Sequence, residues 1–175
     1  MAMRFVKLLV FTSSMVCSSV YMNHAYAENS VVNITGNIKD NTCNVAINSR
    51  SFIVNLGNND SRQLNSLGAK TTPVQFNIEL SDCGSMVSSV ELTFAGTPDD
   101  KDPALAKIDN MAGIKGIGIQ LLDKNKKELA LNTPFNFALM PGGQVLKFYA
   151  QLKVTHIPVV TGKVDSVVYF LLDYQ

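Results

Sequence analysis

The chain has 175 residues, with 15 Lys+Arg against 14 Asp+Glu and two His, a formal charge of +1 at pH 7. So even a balance, without any basic run that could track phosphates, argues against nucleic acid as a partner. The length suits one ordinary domain with short terminal segments.

The first element is MAMRFVKLLVFTSSMVCSSVYMNHAYA, which carries Arg4 and Lys7, then an apolar and small-residue stretch, then Ala25-Tyr26-Ala27. That order predicts a secretory signal peptide, residues 1–27, cleaved after Ala27. Ser13, Ser14, Ser18 and Ser19 break the apolar core, so a membrane-spanning helix is the weaker reading. Lipidation at Cys17 is disfavoured too, because Met15 and Val16 stand where small residues are needed. The exported part, residues 28–175, then keeps two cysteines, Cys43 and Cys83, and an even pair in an exported chain predicts a disulfide.

Residues 28–40 alternate as a strand does: Ser30, Val32, Ile34, Gly36 and Ile38 share one face, and Asn29, Val31, Asn33, Thr35 and Asn37 the other. Farther on, SRQLNSLGAK (Ser61 to Lys70) has room for a turn or two of helix, and no stretch carries a convincing helical stripe. Period-two faces follow in Val74, Phe76, Ile78 and Leu80, in Val90, Leu92 and Phe94, in Ile117, Ile119 and Leu121, and in Leu146, Phe148, Ala150, Leu152 and Val154. Turn signals separate them at Gly57 to Asp60, Thr97 to Pro103, Asp123 to Lys127 and Pro141 to Gly143. Short strands so spaced predict an all-β sandwich. The last run, Val164 to Gln175, is apolar on both faces, which suits an interior strand rather than an edge.

Catalytic chemistry finds no footing in this pattern. His156 is the only histidine outside the signal segment, and neither a nucleophile elbow nor a metal-binding histidine pair nor a phosphate-binding loop occurs. The glycines of GIKGIGIQ lead into a strand pattern and read as a bulge or a close backbone approach. Asp99, Asp100 and Asp102 form an acidic turn; Pro103 and the missing bidentate glutamate spoil a calcium loop. No cofactor and no metal is expected, and the chain reads as a non-enzyme.

Several of these segments together carry a resemblance: the alternating N-terminal extension, DNTC at Asp40 to Cys43, PVQFNIELSDCG at Pro73 to Gly84, GIGIQLLD at Gly116 to Asp123, and LKFYAQLKVTHIPVVTGKVDSVVYFLLDYQ. The chain resembles pilin subunits of chaperone–usher fimbriae, most closely the F-type minor tip subunit of type 1 fimbriae. The resemblance implies an incomplete immunoglobulin-like β-sandwich, residues 41–175, that lacks its seventh strand and is completed by donor-strand complementation. It implies that residues 28–40, with Ser30, Val32, Ile34, Gly36 and Ile38, are a donor strand. It also implies that Gly162, Val164, Val168, Phe170, Leu172, Tyr174 and Gln175 belong to a groove strand recognised by a chaperone.

The partners so implied are a periplasmic pilus chaperone, an outer-membrane usher and neighbouring subunits, on a path through the periplasm to a surface fimbrium supporting cell adhesion. No small-molecule substrate is implied. The leading expectation is a tip adaptor. Two other readings are a carbohydrate-binding adhesin, for which residues 28–175 leave no room for a second domain, and a major rod pilin, which shares fold and motifs.

Overall fold

The computed structural model describes residues 42–109 and 113–175. The signal-peptide and donor-strand expectations, residues 1–27 and 28–40, lie outside the described residues.

Among the described residues eight strands form in chain order: β1 (Asn44–Val45), β2 (Val74–Ser81), β3 (Ser89–Ala95), β4 (Ile117–Leu122), β5 (Glu128–Leu129), β6 (Pro134–Ala138), β7 (Gly143–Val154) and β8 (Tyr169–Tyr174). One helical turn, α1 (Ile47–Arg50), follows β1, and a 3-10 turn (Ser61–Leu64) sits where SRQL had room for one. No periodic signal marks α1, because four residues are too few for a stripe.

The strands make two antiparallel sheets, one ordered β1-β2-β7-β4-β5 and the other β6-β3-β8. Strand β7 is the spine of the larger sheet: it pairs with β2 from Val74↔Ala150 to Ser81↔Gly143 and with β4 from Ile117↔Val154 to Leu122↔Tyr149. Period-two patterning explains what each strand buries. Ile78 and Leu80 of β2, Val90, Leu92 and Phe94 of β3, and Leu146, Phe148 and Ala150 of β7 all enter one core. Phe148 is its hub, with ring centroids 5.2 Å from Phe94, 5.6 Å from Phe76 and 5.7 Å from Phe137. A second cluster, with Leu64, Ile108, Ile114, Ile117, Leu152 and Val154, closes one end.

Two glycines show why their positions admit no side chain. Gly116 has φ +85°, and a Cβ there would collide with the carbonyl oxygen of His156. Gly143 has φ +141°, and its Cβ would come within 2.6 Å of the Leu80 carbonyl oxygen. GIKGIGIQ is thus a strand closely approached by another backbone, as its pattern indicated. The acidic turn is used locally: the Asp99 carboxylate accepts from the Lys101 and Asp102 amides, and Asp102 accepts from Lys153 Nζ at 2.8 Å. Among the described residues no group of His, Cys, Asp and Glu could hold a metal ion.

Cys43 and Cys83 form a disulfide, 40 residues apart, that ties the residue before β1 to the loop after β2. Closing such a loop restricts the unfolded chain by about 4 kcal/mol on the loop-entropy model. The double variant C43S/C83S is therefore expected to lose about that much stability in urea unfolding; a midpoint equal to wild type under oxidising conditions would refute a stabilising role.

Candidate functional site

Among the described residues the strand whose pattern suits an interior position is an edge, as the implied groove strand would be. Strand β8 pairs on one side with β3, from Val90↔Tyr174 to Ala95↔Tyr169, and ends the order β6-β3-β8 with no strand among the described residues on its other side. Its two faces, both apolar in sequence, differ in burial. Val168, Phe170, Leu172 and Tyr174 pack inward, whereas Val167, Tyr169 and Leu171 remain 60%, 66% and 55% exposed. An edge so apolar and so little charged is unusual in a protein that works alone.

Beside that edge runs a groove of about 1070 Å³. One rim is Thr161 to Phe170; the other is Ser51 to Gly57, an extended segment outside any strand. Between them the floor is apolar, with Phe76, Phe94, Ile119, Leu121, Ala150 and Leu152. Outside helices and strands, residues 52–56 make no backbone-to-backbone hydrogen bond among the described residues, although the Leu56 carbonyl accepts from Asn59 Nδ2 at 3.1 Å, and from Thr161 to Val168 only the Asp165 carbonyl accepts a backbone amide, that of Asp109 at 2.8 Å. Main-chain groups in that state need water or a partner strand.

The described candidates fall on this groove or at its end. Gly162 is exposed on the rim, Val164 packs on the second cluster, and Val168 to Tyr174 reach the main core on alternate residues. The Gln175 amide donates to the Ser89 carbonyl at 3.0 Å, and its own carbonyl accepts from the Ser88 amide at 3.2 Å, so the ladder continues past β8. Tyr174 ties the strand to the disulfide: its hydroxyl donates to the Cys43 carbonyl at 3.3 Å. Burial raises the Tyr174 phenol above the usual tyrosine range.

The opposite rim was missed by sequence reasoning. Phe52, Val54 and Leu56 alternate just before the GNND turn; Val54 and Leu56 pack on the core, and Phe52 lies 5.8 Å from Phe76 between ring centroids. That alternation was a readable signal. It was hidden because Ile53, 94% exposed, breaks the apolar/polar contrast.

A sandwich whose smaller sheet stops at an apolar, unpaired edge, above an open core, is an immunoglobulin-like fold lacking one strand. Comparison with known proteins gives the family. The model of the fimbrial protein family matches residues 32–175, and the chain belongs to that family. It is 51% identical over 170 residues to the S-fimbrial protein subunit SfaG of Escherichia coli O6:K15:H31, covering 97% of each chain. In fold it is similar to the P pilus rod subunit PapA, with a TM-score of 0.66 at 21% identity over 76% of this chain and 99% of that one. A subunit from a chaperone–usher pilus structure also gives a TM-score of 0.66 at 21% identity, over 85% of this chain and 97% of that one. The resemblance to chaperone–usher pilins thus holds at the level of family and fold. The chain is a fimbrial subunit, not an enzyme, and its place is a surface fimbrium. No helix among the described residues is long and apolar enough to cross a membrane.

Because the folded-state pKa of Tyr174 lies above its unfolded value, the unfolded chain loses this proton first. Its contribution is complete below the ordinary tyrosine pKa of about 10 and declines as pH rises through the folded value. Tyr174→Phe is expected to abolish that alkaline component and to cost about 0.5–1.5 kcal/mol at neutral pH through the lost hydrogen bond. Unfolding free energies of both proteins across alkaline pH test this; parallel curves would rule it out.

Proposed function

We propose that this chain is a minor adaptor subunit near the tip of a chaperone–usher fimbria, accepting an extended strand in the groove beside β8 and lending residues 28–40 to the groove of a neighbour. The observation that carries the reading is the edge of β8, unpaired among the described residues, above an apolar floor and between two rims that make almost no backbone hydrogen bonds there. An added strand would supply both a hydrogen-bond ladder and side chains for alternate positions.

The extension has the right chemistry for such a strand. Burying Val32, Ile34 and Ile38 at roughly 1.5–3 kcal/mol each would contribute about 5–9 kcal/mol before any ladder is counted. Gly36 in the same row suits a shallow point of a groove and sets register, since a larger side chain there would clash. A periplasmic chaperone fills the groove first, and at the outer-membrane usher its strand gives way to the neighbour's extension. Gly162, Val164, Val168, Phe170, Leu172, Tyr174 and Gln175 form the strand that both occupants pair with.

Two experiments test this assignment. Deleting Glu28 to Lys39 should leave chaperone binding intact while abolishing insertion into the next subunit; undiminished insertion would remove residues 28–40 as donor. Replacing Phe170 and Tyr174 by Ser removes about 3–6 kcal/mol of apolar burial, and loss of the chaperone complex with periplasmic degradation is expected. Wild-type chaperone affinity in that double variant would contradict the groove assignment. Copy number in purified fibres separates adaptor from rod: a few copies per fibre support the adaptor, and hundreds would make it the rod.

A further inference from the structure

Four lysines gather at one end of the larger sheet, past the stretch where the loop from Thr97 to Asp109 bridges to β4 at Ile119. Lys124, Lys126 and Lys127 belong to the turn between β4 and β5, and Lys147 belongs to β7. All four are exposed, and none forms an ion pair among the described residues. The register places them together. Leu122, the last residue of β4, pairs with Tyr149, so one step farther along the antiparallel ladder the chain enters the turn beside Phe148 and Lys147. Lys126 shows the approach directly, with its Nζ 5.7 Å from the centre of the Tyr149 ring.

The turn that carries three of these lysines is held from within. The Asp123 amide donates to the Lys127 carbonyl at 2.8 Å, and the Asp123 carbonyl accepts from the Lys126 amide at 2.9 Å. Asp123 Oδ1 accepts from the Asn125 and Lys127 amides, each at 2.8 Å. Lys126 itself takes φ +62°, a conformation that glycine or asparagine adopts more readily. The acidic residues at the two ends of the turn are engaged elsewhere, Asp123 with those amides and Glu128 with Gln120 and Lys153. Glu79, exposed on β2 opposite Val145, bounds the cluster on that side.

Tyr149 and its neighbours set the chemistry of the surface between the lysines. The Tyr149 hydroxyl donates to Gln75 Oε1 at 3.4 Å, and Gln75 Nε2 donates to Asn77 Oδ1 at 3.0 Å. Asn77 stands opposite Lys147 in the ladder of β2 and β7, and its NH2 group keeps its hydrogens to donate. The surface therefore offers ammonium and amide donors side by side.

We propose that this cluster binds an acidic polysaccharide, one carrying sulfate or carboxylate groups along its chain. Donors in excess call for a ligand that accepts, and several ammonium groups without counter-charges call for one with several negative charges. Nucleic acid suits the surface less well, because Lys126 lies over the one aromatic ring on this side of β2, β4 and β7, where a base would have to stack. A lipid surface suits it less well too, since Val145 is the only exposed large apolar side chain on β2 or β7. The site is independent of what fills the groove. Phe76, Leu121 and Ala150 line the groove, and their strand neighbours Gln75, Asn77 and Tyr149 point the opposite way.

The test titrates the full mature chain, residues 28–175, with a heparin dodecasaccharide at fixed ionic strength. Uncharged dextran, duplex DNA of equal charge and phosphatidylglycerol vesicles serve as comparison probes. Heparin is expected to bind about tenfold or more tightly than DNA or the vesicles, with no binding of dextran. K124S/K126S/K147S should lose about tenfold or more in heparin affinity, whereas K124R/K126R/K147R should stay within about threefold of wild type. K70S/K101S/K115S removes the same charge from exposed lysines elsewhere and should also stay within about threefold. Equal losses in the two serine variants overturn the site in favour of net charge alone. Unchanged heparin binding in K124S/K126S/K147S overturns it outright. DNA or vesicles bound as tightly as heparin, and weakened by the same substitutions, overturn a polysaccharide as the occupant.

Discussion

Everything in this fold is organised around one vacancy in a hydrogen-bond ladder. An edge strand ordinarily protects itself with charge, proline or a bulge. Strand β8 does none of these along Tyr169 to Leu172, and among the described residues the rim facing it, Phe52 to Leu56, makes no backbone ladder either. A polar backbone row beside an apolar floor is costly to leave without a partner and well suited to receive one, because each alternate residue of an incoming strand meets either the ladder or a pocket. Family membership and the missing-strand topology therefore describe the same physical fact.

The opposite face of the larger sheet shows that the vacancy is local. The loop from Thr97 to Asp109 pairs with the edge of β4 through an antiparallel bridge in which Ala106 and Ile119 exchange hydrogen bonds in both directions. Beneath it lies a closed polar network: Gln151 donates to Gln120 at 2.6 Å, Gln120 donates to Glu128, and Lys153 reaches Asp102 at 2.8 Å and Glu128 at 3.7 Å. The hydrogen bond to Asp102 is the main reason the Lys153 ammonium is held above its ordinary pKa, against the opposing effect of burial. Gln120 and Gln151 are almost wholly buried, which is tolerable only because the network satisfies them. The chain closes this face from its own residues and leaves the other to a partner.

The sandwich was legible because period-two alternation survives in every long strand: the predicted inward residues of β2, β3 and β7 are the ones that meet around Phe148. The disulfide was legible from cysteine number together with the expectation of export. What periodicity alone could not supply was the state of β8, which came only from the resemblance. Val168, Phe170 and Leu172 alternating with Val167, Tyr169 and Leu171 look the same whether both sides are occupied within one chain or by a second chain. Periodicity specifies faces, not neighbours. Nor did it reveal α1, or the rim at Phe52 to Leu56, whose outward Ile53 conceals its alternation.

If the groove is filled as proposed, a single edge also imposes an order on assembly. The free side of β8 offers one row of amides and carbonyls, and the floor between Phe76, Phe94, Ile119 and Leu121 offers one set of pockets. A chaperone's strand and a neighbour's extension would draw on the same atoms, so they cannot occupy the site together. Exchange must proceed by displacement along the ladder, and it begins most readily where the first occupant holds least. The Gly162 end has no ladder to β3, whereas the Tyr174 end is anchored through Ser88, Ser89 and the Cys43 carbonyl. The mouth between Thr161 and Val164 is accordingly the softer end, where an incoming strand can contact the groove while the remainder is still covered.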